Sequence, residues 1–253
     1  MATYESELIK VALPYWEAEA EIASRFFSSR PAEENHIFWL KAQLWKELHP
    51  VDGYFNGIHK ELSKLAEMFP NVDKEIDRHH YRFLLEQMLQ EFNHYVLLAD
   101  ILEYLTGRKV SVEDTIQLPQ ERRLQEVRHR YATSGSEIDR AAVLFTEGGG
   151  ARLFREGRKV EGGKLEEMIA AAMGVIYEDE KNHFREAAAE AAGLIHSSEE
   201  LQRMKRAVEE ISCQRVAMRR EMFREPMTEA EVEAFIQEMK GKVEAGEFRE
   251  GGW

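Results

Sequence analysis

The sequence predicts an all-α protein, and three observations carry the prediction. Glutamate outnumbers aspartate forty to seven, and Glu propagates helices where Asp does not. The six prolines, at 14, 31, 50, 70, 119 and 226, fall mostly where a helix should start or stop. Apolar residues recur every three to four positions over long stretches, the period of a helical face.

The elements follow in order. A first helix covers about 3–29, with Pro14 as a kink. Pro31 opens a helix that runs to about 48, the stretch 49–53 (HPVDG) kinks or breaks it, and a helical segment continues to Phe69. Pro70 and Asn71 turn the chain, and Asp73 is the expected N-cap of a long helix over 74–106 that stops at Gly107. Residues 108–118 are irregular, and Pro119 to Ala132 form a charged helix. Ser136 is expected to cap a helix over 137–158, Gly162 and Gly163 turn, and a second long helix covers 164–194. Ser197 or Ser198 caps a helix ending before Pro226, and Thr228 with Glu231 reads as the capping box of the last helix. The expected arrangement is one domain over 1–253. Its four-helix core spans 32–106 and 137–194, and 3–29, 119–132 and 198–246 form peripheral helices.

The composition narrows the function classes. With 43% hydrophobic and 32% charged residues the chain is globular rather than disordered. A net charge of −13 argues against nucleic acid or an anionic membrane surface as partner. The single cysteine, Cys213, excludes a disulfide framework, a zinc ribbon and a Cys-ligated iron–sulfur cluster. The N-terminal residues lack the pattern of a secretory signal and no apolar run approaches the ~20 residues of a membrane span, so the cytoplasm is the expected compartment.

A few ionisable residues interrupt apolar stripes. In 74–106 the stripe Leu84, Met88, Glu91, Tyr95, Leu98, Leu102 has Glu91 in its middle, with His94 one turn on. In 164–194 the stripe Met173, Ile176, Glu180, His183, Ala187 is interrupted in the same way, and in 137–158 Glu147 stands alone. A buried, unpaired carboxylate costs several kcal/mol, so these residues need a partner. Glu-x-x-His puts a carboxylate and an imidazole on one helical face, within reach of one metal ion. The motif occurs four times, at 33/36, 91/94, 126/129 and 180/183. Glu126 shares its face with Arg122, Arg123 and Arg130, which is a solvated face, and Glu33 lies in a first helical turn, where an acid favours the dipole. The 91/94 and 180/183 pairs lie mid-helix on apolar stripes. Glu147 and Glu180 are nearly symmetrical about the Gly162-Gly163 turn, so an antiparallel pair of helices brings them level.

This order of ligands, a lone acid, Glu91-x-x-His94, Glu147 and Glu180-x-x-His183, resembles the ferritin-like di-iron carboxylate superfamily. That family sets one Glu from each of two helices beside Glu-x-x-His from each of the other two. The resemblance covers 32–106 and 137–194 and leaves the first-helix acid open. Glu47 lies on the stripe Leu40, Leu44, Val51, Asp52 lies near the level of Glu91, and Glu61 borders Phe55, Ile58, Leu62, Leu65.

The resemblance implies an antiparallel four-helix bundle holding two Fe ions, or a Mn/Fe pair, on Glu47 or Glu61, Glu91, His94, Glu147, Glu180 and His183. Glu91, Glu147 and Glu180 would be the catalytic carboxylates. It further implies an O2-dependent oxidase or oxygenase acting on a small organic molecule, with electrons from an external donor. Ferroxidase, iron-handling or peroxide-detoxifying activity is the second expectation, and a metal-free helical interaction protein the third.

Other features have two readings each. Gly148-Gly149-Gly150 cost a helix roughly 2–3 kcal/mol relative to alanines. They would leave space for substrate or O2, allow a π-bulge, or serve close packing or a helix end. Arg152, Arg155 and Arg158 read as a solvated basic face, with an acidic substrate as the other reading. Tyr95 and Tyr177 are candidate hydrogen-bond donors around the metals, whereas Trp16, Trp39 and Trp45 read as core. The Met204, Met218, Met222 helix reads as packing or as the surface of a homodimer.

Overall fold

The computed structural model describes residues 3–49, 58–181 and 183–247. Every extended regular element among them is a helix, and none is long and apolar enough to cross a membrane. Helix α1 (Tyr4–Ser28) begins at Thr3, whose hydroxyl accepts from the Ser6 amide, and runs unbroken through Pro14. Helix α2 (Glu33–Glu47) follows two residues after Pro31, and α3 (Ile58–Met68) ends at a single 3-10 turn holding Pro70.

Helix α4 (Arg78–Thr106) is capped by Asp77 rather than Asp73. The Asp77 carboxylate accepts from the His79 and His80 amides at 2.7 and 3.1 Å, while Asp73 sits in the preceding turn with φ 66°. Gly107, at φ 67°, ends α4 in the left-handed conformation that a residue without Cβ adopts at no steric cost. The 108–118 stretch is irregular apart from one 3-10 turn, and α5 (Pro119–Ala132) follows.

Two helices expected as single pieces are each broken. The 137–158 helix is α6 (Glu137–Phe145) and α7 (Gly149–Gly157), joined by a 3-10 turn at Thr146–Gly148. The 164–194 helix is α8 (Lys164–Glu180) and α9 (His183–Gly193). Helix α7 packs on α8, α6 packs on α9, and the Thr146–Gly148 turn touches α9. Helices α10 (Ser198–Met222) and α11 (Glu229–Glu244) complete the chain, with Ser197 and the Thr228/Glu231 capping box at their starts, as the sequence predicts.

The largest departure concerns α1. The sequence places it at the periphery, but it runs through the centre, packed along α7 and α10 and touching α9 and α11. Leu8, Ala12, Trp16, Ala18, Ile22 and Ala23 are fully buried. Its apolar residues form more than one stripe, which a helix needs when it is covered on several sides. Helix α10 also contributes to the core: Met204, Met218 and Met222 are buried there, so packing accounts for them. Around the inner end of α2 the neighbours are α4 and α10, and α4 in turn packs on α8. Those contacts bring the ends of α2 and α8 to the middle of α4.

Candidate metal centre

The apolar stripe of α2 determines where its last turn points. Trp39, Leu40 and Leu44 are fully buried, and Glu47 continues their face into the core with 6% of its surface exposed. On α4, Leu98 and Leu102 are buried in the same way, and one to two turns earlier the stripe delivers His94 (1% exposed) and the half-buried Glu91. Ile169, Met173 and Ile176 fix α8, whose final residues are Asp179 and Glu180.

These three helices converge on the His94 imidazole. Glu47, Glu91 and His94 each present a donor atom within 4.8 Å of the others. The Nδ1 atom of His94 lies 3.7 Å from Oε2 of Glu47 and 3.8 Å from Oε1 of Glu180. On the other side of the ring, Nε2 is 3.1 Å from Oδ2 of Asp179, a hydrogen bond when that nitrogen carries the proton. Burial pushes the imidazole towards its neutral form. The carboxylate of Glu47, helped by Glu91 and Glu180, more than offsets this and holds the imidazolium up to about 9. Four carboxylates, those of Glu47, Glu91, Asp179 and Glu180, thus lie around one imidazole.

Of the acids expected from the α2–α3 region, Glu47 joins this group. Glu61 lies on α3 with Lys64 at 3.7 Å and is not one of the three converging donors. Asp52 and the side chains of Glu147 and His183 lie outside the described residues. His36, of the 33/36 pair, is a core residue: its Nδ1 accepts from Trp39 Nε1 at 3.2 Å, and burial pushes its pKa down. His49 stacks on Trp45 with ring centroids 4.1 Å apart.

Asp179 and Gln43 are the residues that motif reading passes over. Asp179 carries a faint signal, being an Asp near a helix end beside a ligand candidate. Gln43 carries its signal in spacing: it sits one turn before Glu47 and donates from Nε2 to Glu47 Oε1 at 2.5 Å. That contact leaves Oε2 of Glu47 facing His94.

Gln43 also joins the candidate centre to a second buried polar group. Its Oε1 accepts from Arg219 Nη1 at 2.6 Å, and Arg219 Nε donates to Glu19 Oε2 at 3.1 Å. Arg215 completes a fork on the same carboxylate at 3.0 and 3.2 Å. Glu19, Arg215 and Arg219 are at most 2% exposed. Beside them Lys46, next in sequence to Glu47, pairs with Glu121 at 3.0 Å, with the buried Arg128 close enough to bear on both.

The glycine run belongs to this second group. A Cβ on Gly149 would stand 2.1 Å from Glu19 Oε1 and 3.0 Å from Trp16 Cδ1. The space beside Gly149 is therefore filled by α1, and the run marks both a helix break and a close approach. Arg152 and Arg155 are not a solvated face. Arg152 is 4% exposed, and both pair with Glu17 of α1. Only Arg158 is exposed, its guanidinium lying 4.1 Å from the centroid of the buried Tyr177 ring. This chain matches no protein-family model, no curated protein and no solved structure.

Proposed function

We propose that Glu47, Glu91, His94 and Glu180 hold a redox metal centre of the di-iron carboxylate kind, and that the protein is an O2-dependent oxidase or oxygenase of a small organic molecule. The carrying observation is the convergence of Glu47, Glu91 and His94 from two helices inside the core. The donor chemistry fits. Carboxylate oxygens with one imidazole suit iron or manganese, and the two contacts to His94 Nδ1 are longer than hydrogen bonds, as for atoms that could share an ion. Glu147, in the turn between α6 and α7, and His183, at the start of α9, are proposed to complete a two-ion set in a bundle of ferritin-like type.

Bound there, the metal pair would activate O2 with electrons from an external donor. The chain's own residues prepare the site. Asp179 accepts the Nε2 proton of His94, which directs Nδ1 towards Glu47 and Glu180. Gln43 occupies Oε1 of Glu47 and reserves Oε2. The apolar residues of α2, α4 and α8 exclude water around them.

Elemental analysis of protein produced with added iron tests the reading. The expected result is stoichiometric Fe or Mn in the native chain and only traces in His94→Ala and Glu91→Ala, with O2 uptake when a reductant is supplied. A native chain that takes up no metal on anaerobic reconstitution with Fe(II), or variants that keep the full content, would overturn it. Metal uptake together with a very large species on sizing would favour iron storage instead.

A further inference from the structure

Helix α4 has a second apolar stripe. Tyr81, Leu84, Met88, Tyr95, Leu98 and Leu102 face the interior, buried or half-buried. On the adjoining flank of the helix, about a third of a turn round, Leu85, Leu89, Phe92 and Val96 are 45, 68, 46 and 38% exposed among the described residues. Scattered exposed apolar residues need no explanation, but a contiguous row marks an interaction surface. The spacing of this row, four, three and four residues, is that of a coiled-coil seam. Charges at its two ends are of opposite sign: Arg78 and Arg82 precede the stripe on the same face and Asp100 follows it, all exposed. The partners of the arginines within the chain, Asp73 and Glu86, are themselves exposed, so those pairs hold them weakly.

We propose that this face is the contact of a homodimer in which α4 packs antiparallel on α4 of a second copy, about a two-fold axis near residues 90 and 91. The pattern is self-complementary in that register. Leu89 meets Phe92 of the second copy, Leu85 meets Val96, and symmetry repeats both pairs. The same register carries Arg82 beside Asp100 of the second copy at each end. A parallel pairing would set Arg78 on Arg78, Arg82 on Arg82 and Asp100 on Asp100, so the charges select the antiparallel one. Nothing in this inference depends on a metal.

Sedimentation equilibrium of the full chain is the test. The expected mass is twice 29.4 kDa, and Leu89→Glu should weaken association by roughly thirtyfold or more with the helical circular dichroism unchanged. Arg82→Glu should weaken it, and adding Asp100→Arg should restore it. Residues 82 and 100 of one helix stand about 27 Å apart, so such a rescue can only act between copies. A monomer at micromolar concentration, a dimer indifferent to Leu89→Glu, or a double variant as weak as the single would each overturn the proposal.

Discussion

Two buried polar groups lie side by side in this protein, and they solve the problem of interior charge in opposite ways. Around Glu19 one carboxylate is gripped by two arginines, with Lys46, Glu121 and Arg128 adjoining. Around His94 several carboxylates face one imidazole. The first group carries its own counter-charges in fixed geometry, as a structural ion-pair network does. The second gathers acids from three helices around one imidazole, with donor atoms of Glu47, Glu91 and His94 close enough to share an ion. Gln43 is the boundary, with its oxygen on Arg219 and its nitrogen on Glu47.

If the first group is structural, breaking it should produce the largest stability loss in the molecule. Glu19→Ala leaves Arg215 and Arg219 buried without their carboxylate, and such a loss costs about 3–5 kcal/mol. Denaturant unfolding should show it, while metal binding by whatever remains folded should persist. Gly149→Ala reaches the same carboxylate from the other side. The 2.1 Å approach forces Glu19 or α7 to move, at about 1–3 kcal/mol. In the Glu19→Ala background most of that second loss should vanish, because the clash partner is gone; two fully additive losses would contradict the assignment of the glycine to this contact.

The second group should show itself in the pH dependence of the metal-free protein. The His94 pKa is raised in the folded state to about 9, above the ordinary value of about 6.5. Its contribution is therefore fully present below about pH 6.5 and is lost as pH rises through about 9. The span corresponds to about 3 kcal/mol as an upper figure. Unfolding midpoints of the metal-free chain between pH 6 and 10 should fall more steeply than those of His94→Gln. With Fe(II) or Mn(II) bound, the proton is displaced and the fall should flatten. Parallel pH curves for the two chains would remove His94 from the centre of the group.

The link between the groups makes a smaller, separable effect. Gln43→Leu leaves Arg219 Nη1 with only the weak Met222 Sδ acceptor at 3.3 Å and takes the Gln43 donor from Glu47 Oε1, each loss worth about 1–3 kcal/mol. Metal affinity should fall by about 10–100-fold, the usual consequence of removing a residue that orients a ligand. Gln43→Glu should recover the contact to Arg219 but add repulsion against Glu47, so it should recover stability better than affinity. Recovery of both in step would make Gln43 a packing residue only.

The legibility of these groups in the sequence follows the range of the interactions that make them. Helix starts and stops are local, so prolines, Gly107, Ser197 and the Thr228/Glu231 box could be read directly. Glu91 and His94 were visible because both sit on one helix and disturb its own stripe. Glu19 disturbs a stripe too, but its meaning depends on Arg215 and Arg219, nearly two hundred residues away, and no local pattern announces such a pairing. Asp179 and Gln43 matter only through what other helices bring to them. The break at Thr146–Gly148 was among the readings the glycines offered, but its cause was hidden for a related reason. Gly148-Gly149-Gly150 signalled a cost, but the compensation, a carboxylate pressed against Gly149, comes from α1. The chain beyond Glu180 offers no proline or glycine to mark its break.

The smallest effect on stability gives the sharpest contrast between the groups. Glu91→Gln replaces one carboxylate with a neutral group of nearly the same shape. In the Glu19 group such a change would be costly, because the charge there satisfies two arginines. In the His94 group it relieves repulsion among carboxylates while giving up one of the charges that support the imidazolium, and it leaves Glu47 and Glu180 at Nδ1 and Asp179 at Nε2. The metal-free variant should therefore unfold within about 0.5 kcal/mol of the native chain or slightly later, while its metal content drops sharply. A residue kept at a cost to the empty fold and required by the ion is one whose role is binding. If Glu91→Gln instead destabilised the metal-free chain by several kcal/mol and left metal uptake intact, the two groups would be alike, and the carboxylates around His94 would be structural.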